Sequence, residues 1–125
     1  KMHHTLNKIK FINIDIDKFN HNKYDLIVSN PPYINNISLK RLEDNVKLYE
    51  PHVALKAGYN GLSEIKKLIL KSKTLLKKNG NLIFEIGNKQ HFDVMKFLKK
   101  NDFYVEKILR DIQKLPRAIL SKKIY

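Results

Sequence analysis

Apolar positions along this chain fall into eight groups, and their spacing predicts the element each one forms. Residues 8–15 (KIKFINID) are rich in β-branched and aromatic side chains and predict a strand, followed by the polar stretch KFNHNK. In YDLIVS, Tyr24–Ser29, the apolar residues run together instead of alternating, the pattern of a strand buried on both faces of a helix-covered parallel sheet. Residues 31–59 form a long segment with a helix expected near 39–47, and segments of that length in compact domains serve as lids or binding loops. From Leu62 the period changes: Leu62, Ile65, Leu68, Ile69, Leu75 and Leu76 share one helical face, and Asn79-Gly80 supplies a stop signal. Residues 81–86 (NLIFEI) then predict a second buried strand closed by Gly87. A shorter helix over 90–100 uses Phe92, Met95 and Leu98, and residues 103–109 and 118–125 predict two strands joined closely enough to pair as an antiparallel hairpin.

Strand, crossover, strand, helix, strand, helix and hairpin is the order of an α/β fold with a mostly parallel sheet. No repeat, low-complexity stretch or internal linker divides the 125 residues, so the expectation is one domain over 1–125. The chain opens on Lys1, and KMHHTLNK reads as the tail of a helix, so the expectation is an N-terminally truncated domain. Without cysteine there is no disulfide framework or thiolate metal site, and the five histidines lack metal-ligand spacing, so no metal is assigned. No apolar run has the roughly 18–20 residues that span a bilayer, and a cytoplasmic monomer with no membrane partner is expected. The net charge of +13 favours an anionic neighbour such as RNA or the ribosome. Against that, 22 Lys, 13 Asn and 15 Ile have the usage of an A/T-biased genome, and the basic residues are scattered over every segment.

The strand YDLIVS stops abruptly at Asn30-Pro31-Pro32-Tyr33. In an open α/β sheet, ligands bind beyond the carboxyl ends of the strands, where Asn30 falls. Both prolines have φ fixed near −65° and no N–H to donate, so the corner is stiff and offers carbonyl oxygens beside the Asn30 side-chain oxygen. Two acceptors at fixed separation suit a planar group with two N–H bonds, a primary amide or an exocyclic amino group, against whose flat face Tyr33 can lie. Such a nitrogen is a poor nucleophile because its lone pair is delocalised, so a site that methylates it must orient it. Orientation can supply roughly 7–11 kcal/mol of the barrier. No strong base is needed beforehand, because the proton becomes acidic as the nitrogen gains positive charge. An Asn-Pro-Pro turn that merely ends a strand accounts for the same letters equally well.

NPPYI preceded by DLIVS, then YEPHVALKAGYNGL, then LIFEIGNKQ, resembles the release-factor glutamine methyltransferases of the PrmC/HemK family over about residues 8–117. The tetrapeptide is shared with DNA adenine methyltransferases, whereas Tyr49, Glu50, Pro51, Ala54, Leu55, Gly58, Gly61 and Leu62 are the sharper match. The resemblance implies a partial Rossmann-like class I methyltransferase sheet with an antiparallel C-terminal hairpin. It also implies S-adenosylmethionine as cofactor and, as substrate, the glutamine in the Gly-Gly-Gln motif of peptide-chain release factors. By position, the Asn30 side chain and the Pro31 carbonyl would hold the amide, with Pro32 stiffening the corner and Tyr33 packing on the amide. Asp15 would contact the cofactor adenine, unless it is a surface strand-end residue of its Asp-x-Asp pair, and Ser29 with Asn30 would line the methionine side. Glu50, just before Pro51, invites an acid/base reading but fits better as a helix cap or a residue that fixes the shape of the substrate lid. Glu85, inside an apolar strand, reads as a structural residue.

The family's glycine-rich cofactor loop and the strand after it do not occur in the chain, and Leu115-Pro116 departs from the usual ending around Arg110, Asp111 and Arg117. In the family order both belong upstream of Lys1, and in the fold the missing strands lie between residues 8–15 and Tyr24–Ser29, so an exposed sheet edge and weak or no cofactor binding are expected. Two other readings fit parts of the pattern: an amino methyltransferase acting on adenine in DNA or on RNA, and a non-catalytic remnant or interaction module.

Overall fold

A computed structural model of the chain describes residues 8–32 and 62–125. The expected helix near 39–47, Tyr33 and the Glu50 segment lie outside these residues. Four strands form one sheet: β1 (Tyr24–Ser29), β2 (Leu76–Glu85), β3 (Phe103–Arg110) and β4 (Pro116–Lys123), in the spatial order β1-β2-β4-β3. β1 and β2 are parallel, and β4 runs antiparallel to both β2 and β3. Helix α1 (Leu62–Leu75) precedes β2, and α2 (His91–Lys100) joins β2 to β3.

The helices form where the apolar period is 3.6, and their end charges suit the helix dipole. Glu64 lies in the first turn of α1 and Lys73 in its last; Asp93 and Lys99-Lys100 take the same places in α2. Ile65, Leu68, Ile69, Ser72 and Leu75 face inward from α1, and Val94 and Leu98 from α2. Of these, Ile65, Leu68, Ile69, Val94 and Leu98 meet Leu76, Leu82, Phe84, Phe103 and Ile119 from the sheet, and Ile86 just after β2, in one core. Phe92, expected in that core, points outward and is 73% exposed. It stands two residues before Val94, so the inward face of α2 is set by Val94 and Leu98, with Met95 and Phe97 packed at its margin. After α2, Asn101 closes the helix, its amide Nδ2 donating to the Phe97 carbonyl (2.8 Å) and its backbone N–H to that of Leu98 (3.0 Å).

Residues 8–15 do not form the predicted strand. They run without ladder bonds as far as a 3-10 turn at Ile16–Lys18, and Ile9, Phe11, Ile12 and Ile14 are exposed, Phe11 at 88%. Among the described residues no strand lies alongside them, and a strand without a partner has nothing to stabilise it in water. β1 likewise departs from burial on both faces. Ile27 packs on the core, but Leu26 and Val28 are exposed, because the core described here, with α1 and α2, lies on the Ile27 side. Among the described residues β1 is therefore a sheet edge, paired on one side only.

β2 begins at Leu76, directly after the helix, five residues earlier than its apolar run predicts. Tyr24 pairs with Leu76 and Leu26 with Asn81, so two steps along β1 match five along β2, and residues 77–80 form a bulge. Asn79-Gly80, expected to stop the helix, instead shapes this bulge, with Asn79 at φ 63°. A Cβ on Gly80 would lie 3.0 Å from the Lys77 carbonyl oxygen and 3.1 Å from that of Tyr24. β4 begins at Pro116 and ends at Lys123, two residues earlier at each end than expected, and the hairpin with β3 forms despite Leu115-Pro116.

Candidate active site

The corner that ends β1 sits where the sequence places it. Ser29 pairs with Phe84, so Asn30 leaves the sheet beside Glu85, at the shared carboxyl end of the two parallel strands. Asn30 and Pro32 are exposed, and Pro31 between them is buried. The buried ring anchors the corner, and the Asn30 side chain remains open to solvent. Ser29 is half-buried on the same strand end.

The neighbouring turn after β2 is braced from two sides. Gln90, buried at the start of α2, accepts a hydrogen bond from the Gly87 N–H through its Oε1 (2.7 Å). The Gln90 backbone N–H returns one to the Gly87 carbonyl (3.3 Å), and Lys89 between them takes φ 63°. The side chain thus closes the turn Gly87-Asn88-Lys89-Gln90 on itself. From the other side, the Ile86 N–H donates to the Arg117 carbonyl (2.8 Å). Arg117 Nε donates to Asp111 Oδ2 (2.8 Å), and Asp111 Oδ1 accepts from the backbone N–H groups of Gln113 (2.8 Å) and Leu115 (3.0 Å). Asp111 organises the β3–β4 loop, and the Arg117 guanidinium, followed by these backbone bonds, holds its carboxyl below the ordinary aspartate range. Glu85 is half-buried opposite Ala118. The roles of Gln90 and Asp111 were readable only in part: Asp-x-x is a turn signature, but nothing local to Gln90 says which N–H its amide meets.

Asp15 is not brought to this corner. It caps the 3-10 turn, its Oδ1 accepting from the Asp17 N–H (2.9 Å). Lys71, in the last turns of α1, ties that turn down by donating to the Asp17 carbonyl (2.9 Å) and to Asn20 Oδ1 (2.7 Å). Since α1 runs directly into the start of β2, this turn lies toward the amino ends of β1 and β2, and Asn30 at their carboxyl ends. Ser29, Asn30, Pro31 and Pro32 come together as one corner, while Tyr33 and Glu50 are outside the described residues. Among the described residues no three His, Cys, Asp or Glu side chains converge as a metal site, and no helix is long and apolar enough to cross a membrane.

The model of the Eco57I restriction-modification methylase family matches residues 2–115, nearly the whole chain. The chain belongs to that family. A release factor glutamine methyltransferase from Fusobacterium nucleatum is 44% identical over 101 residues, covering 81% of the chain and 28% of the relative. A ribosomal protein uL3 glutamine methyltransferase from Francisella tularensis is 39% identical over 92 residues, 73% of the chain and 29% of the relative. The resemblance to the release-factor glutamine methyltransferases therefore holds, and the chain spans under a third of the length of these curated relatives. The solved protein-(glutamine-N5) methyltransferase of Alicyclobacillus acidocaldarius superposes with a TM-score of 0.50 at 19% identity, covering 82% of the chain and 50% of that structure. That likeness supports the partial Rossmann-like methyltransferase fold.

Proposed function

We propose that the protein carrying this Eco57I-family chain transfers a methyl group from S-adenosylmethionine to the side-chain amide nitrogen of the Gly-Gly-Gln glutamine of a peptide-chain release factor. The observation that carries the reading is the corner itself: an exposed Asn30 held between the strand end and a buried Pro31, at the carboxyl end of the parallel pair. Asn30 Oδ1 and the Pro31 carbonyl accept the two N–H bonds of the amide and turn its nitrogen toward the donor, and Tyr33 covers the amide plane. Pro32 keeps the corner from rotating, and Glu50 shapes the lid.

S-adenosylmethionine supplies an electrophilic methyl group, and Ser29 with Asn30 line its methionine side. The described residues do not by themselves make a cradle for its adenine, because Asp15 caps a turn that Lys71 ties down toward the amino ends of β1 and β2, away from the Asn30 corner. The chain taken alone is accordingly expected to bind the cofactor weakly. Isothermal titration tests this, and micromolar affinity of the 125 residues would overturn it.

A glutamine amide is favoured over an adenine amino group by the 44% identity to a release factor glutamine methyltransferase and by the YEP segment. The adenine reading has one specific support, the restriction-modification description of the family model. Methylation assays with a release factor and with an adenine-containing duplex separate the two. The setting proposed is the cytoplasm, beside the translation machinery.

A further inference from the structure

A groove of about 330 Å³ runs between α1 and α2, lined by Leu62 and Lys66 from the first helix and by Asp93, Lys96, Phe97 and Lys100 from the second. Lys66, Lys96 and Lys100 are exposed, and Lys96 and Lys100 stand one helical turn apart. Four lysines outside the groove are matched by carboxylates: Lys67 holds Glu64, Lys73 holds Asp102, Lys77 holds Asp25 and Lys122 holds Glu106. None of the three groove lysines is in an ion pair among the described residues. Lys66 instead places its ammonium 5.6 Å from the centre of the Phe97 ring. Asp93 offsets one of the three charges, so the groove keeps an excess of two positive charges over a floor formed by Leu62 and Phe97.

We propose that this groove binds single-stranded RNA through its phosphodiester backbone. The inference is independent of methyl transfer and of the corner at Asn30. Lysine ammoniums on flexible stems act as point charges suited to phosphates and lack the planar fork that pairs with a carboxylate bidentately. Three of them along one groove follow a polymer that carries a charge at every residue, and each phosphate neutralised releases condensed counterions. The apolar floor gives the sugars and bases a surface to lie against, the combination found in sequence-independent single-strand sites. An acidic peptide offers carboxylates without the condensed counterion layer, and is the competing occupant.

The test is fluorescence anisotropy of a labelled single-stranded 12-mer RNA titrated with the 125-residue chain at several salt concentrations. Two triple variants are compared, Lys66→Glu/Lys96→Glu/Lys100→Glu in the groove and Lys78→Glu/Lys107→Glu/Lys114→Glu outside it. All six positions are exposed, and each triple lowers the net charge from +13 to +7. The groove triple should lose at least tenfold in affinity, and its log K against log salt slope should shrink by about 2, from roughly 0.7 per lost phosphate contact. The outside triple should lose less than threefold. Equal losses in both triples would reduce the effect to net charge and overturn the proposal, as would displacement of the RNA by polyglutamate at equal charge concentration. Should the Glu triple fail to fold by circular dichroism, the corresponding Gln triple must still bind at least threefold more weakly than the parent chain; unchanged binding would overturn the site.

Discussion

Replacing Gly80 by alanine loads the joint on which β1 depends. The new Cβ would stand 3.0 Å from the Lys77 carbonyl oxygen, 3.1 Å from the Tyr24 carbonyl oxygen and 3.1 Å from Leu76 Cδ2, all closer than ordinary van der Waals contact. Leu76 is fully buried and has little room to change rotamer, and the Tyr24 oxygen belongs to the first residue of β1. Relief must therefore come from the backbone of the bulge or of β1. Overpacking of this kind costs about 1–3 kcal/mol. Against it, alanine restricts the unfolded chain and returns roughly 0.4–1 kcal/mol. The clash wins by about 1–2 kcal/mol, which at a urea m-value near 1–2 kcal/mol/M lowers the midpoint by about 1 M. Because β1 pairs with β2 alone among the described residues, its amide protons should exchange faster, while those at the β2–β4 pairing are affected less. Urea denaturation followed by circular dichroism, with hydrogen exchange on β1, makes the measurement. An unchanged or raised midpoint would show that the bulge yields freely and that Gly80 does not fix the start of β1.

The two faces of α2 should respond oppositely to mutation: Leu98→Ala, at a fully buried position, costs about 2–5 kcal/mol, whereas Phe92→Ser stays within about 0.5 kcal/mol, both read from denaturation midpoints. The Asp111 carboxyl is held below its ordinary range, so its contribution is complete above the unfolded aspartate value of about 3.9 and is lost as pH falls through the lower folded value. Asp111→Asn should therefore flatten the acid limb of a stability-against-pH curve below about pH 4; a variant that keeps the parent's acid limb would exclude the aspartate as its source.

The apolar periods located each α-helix and strand of the described residues, β2 with a start five residues too late, and predicted one strand, at 8–15, that does not form, because local spacing and burial agree wherever an element has a neighbour. The failures fall where neighbours decide. Residues 8–15 have strand composition but no strand beside them, and the continuous run in YDLIVS announces two covered faces while Leu26 and Val28 are exposed. Phe92 misled because three apolar residues at spacing three imitate a face that Val94 and Leu98 in fact define. The placement of the corner was legible at Asn30-Pro31-Pro32, where proline chemistry and the strand end act locally. The bracing of the neighbouring turn and of the β3–β4 loop was illegible at Gln90 and Asp111, whose partners depend on how β2, α2 and β4 meet. Asp15 sat at the end of a predicted strand, and without that strand its carboxylate takes the nearest N–H, two residues on.

The central claim, that the Asn30 corner holds a glutamine amide for methylation, is tested most directly by mass spectrometry of a Gly-Gly-Gln release-factor substrate. It would be incubated with S-adenosylmethionine and the full-length gene product carrying either Asn30 or Asn30→Ala. The account predicts one added methyl group on the glutamine side chain with the parent, and a rate lowered by about a hundredfold or more in the variant, roughly 2.7 kcal/mol or more of lost transition-state stabilisation. Methylation of an adenine duplex in preference to the glutamine, or an Asn30→Ala enzyme as fast as its parent, would contradict it.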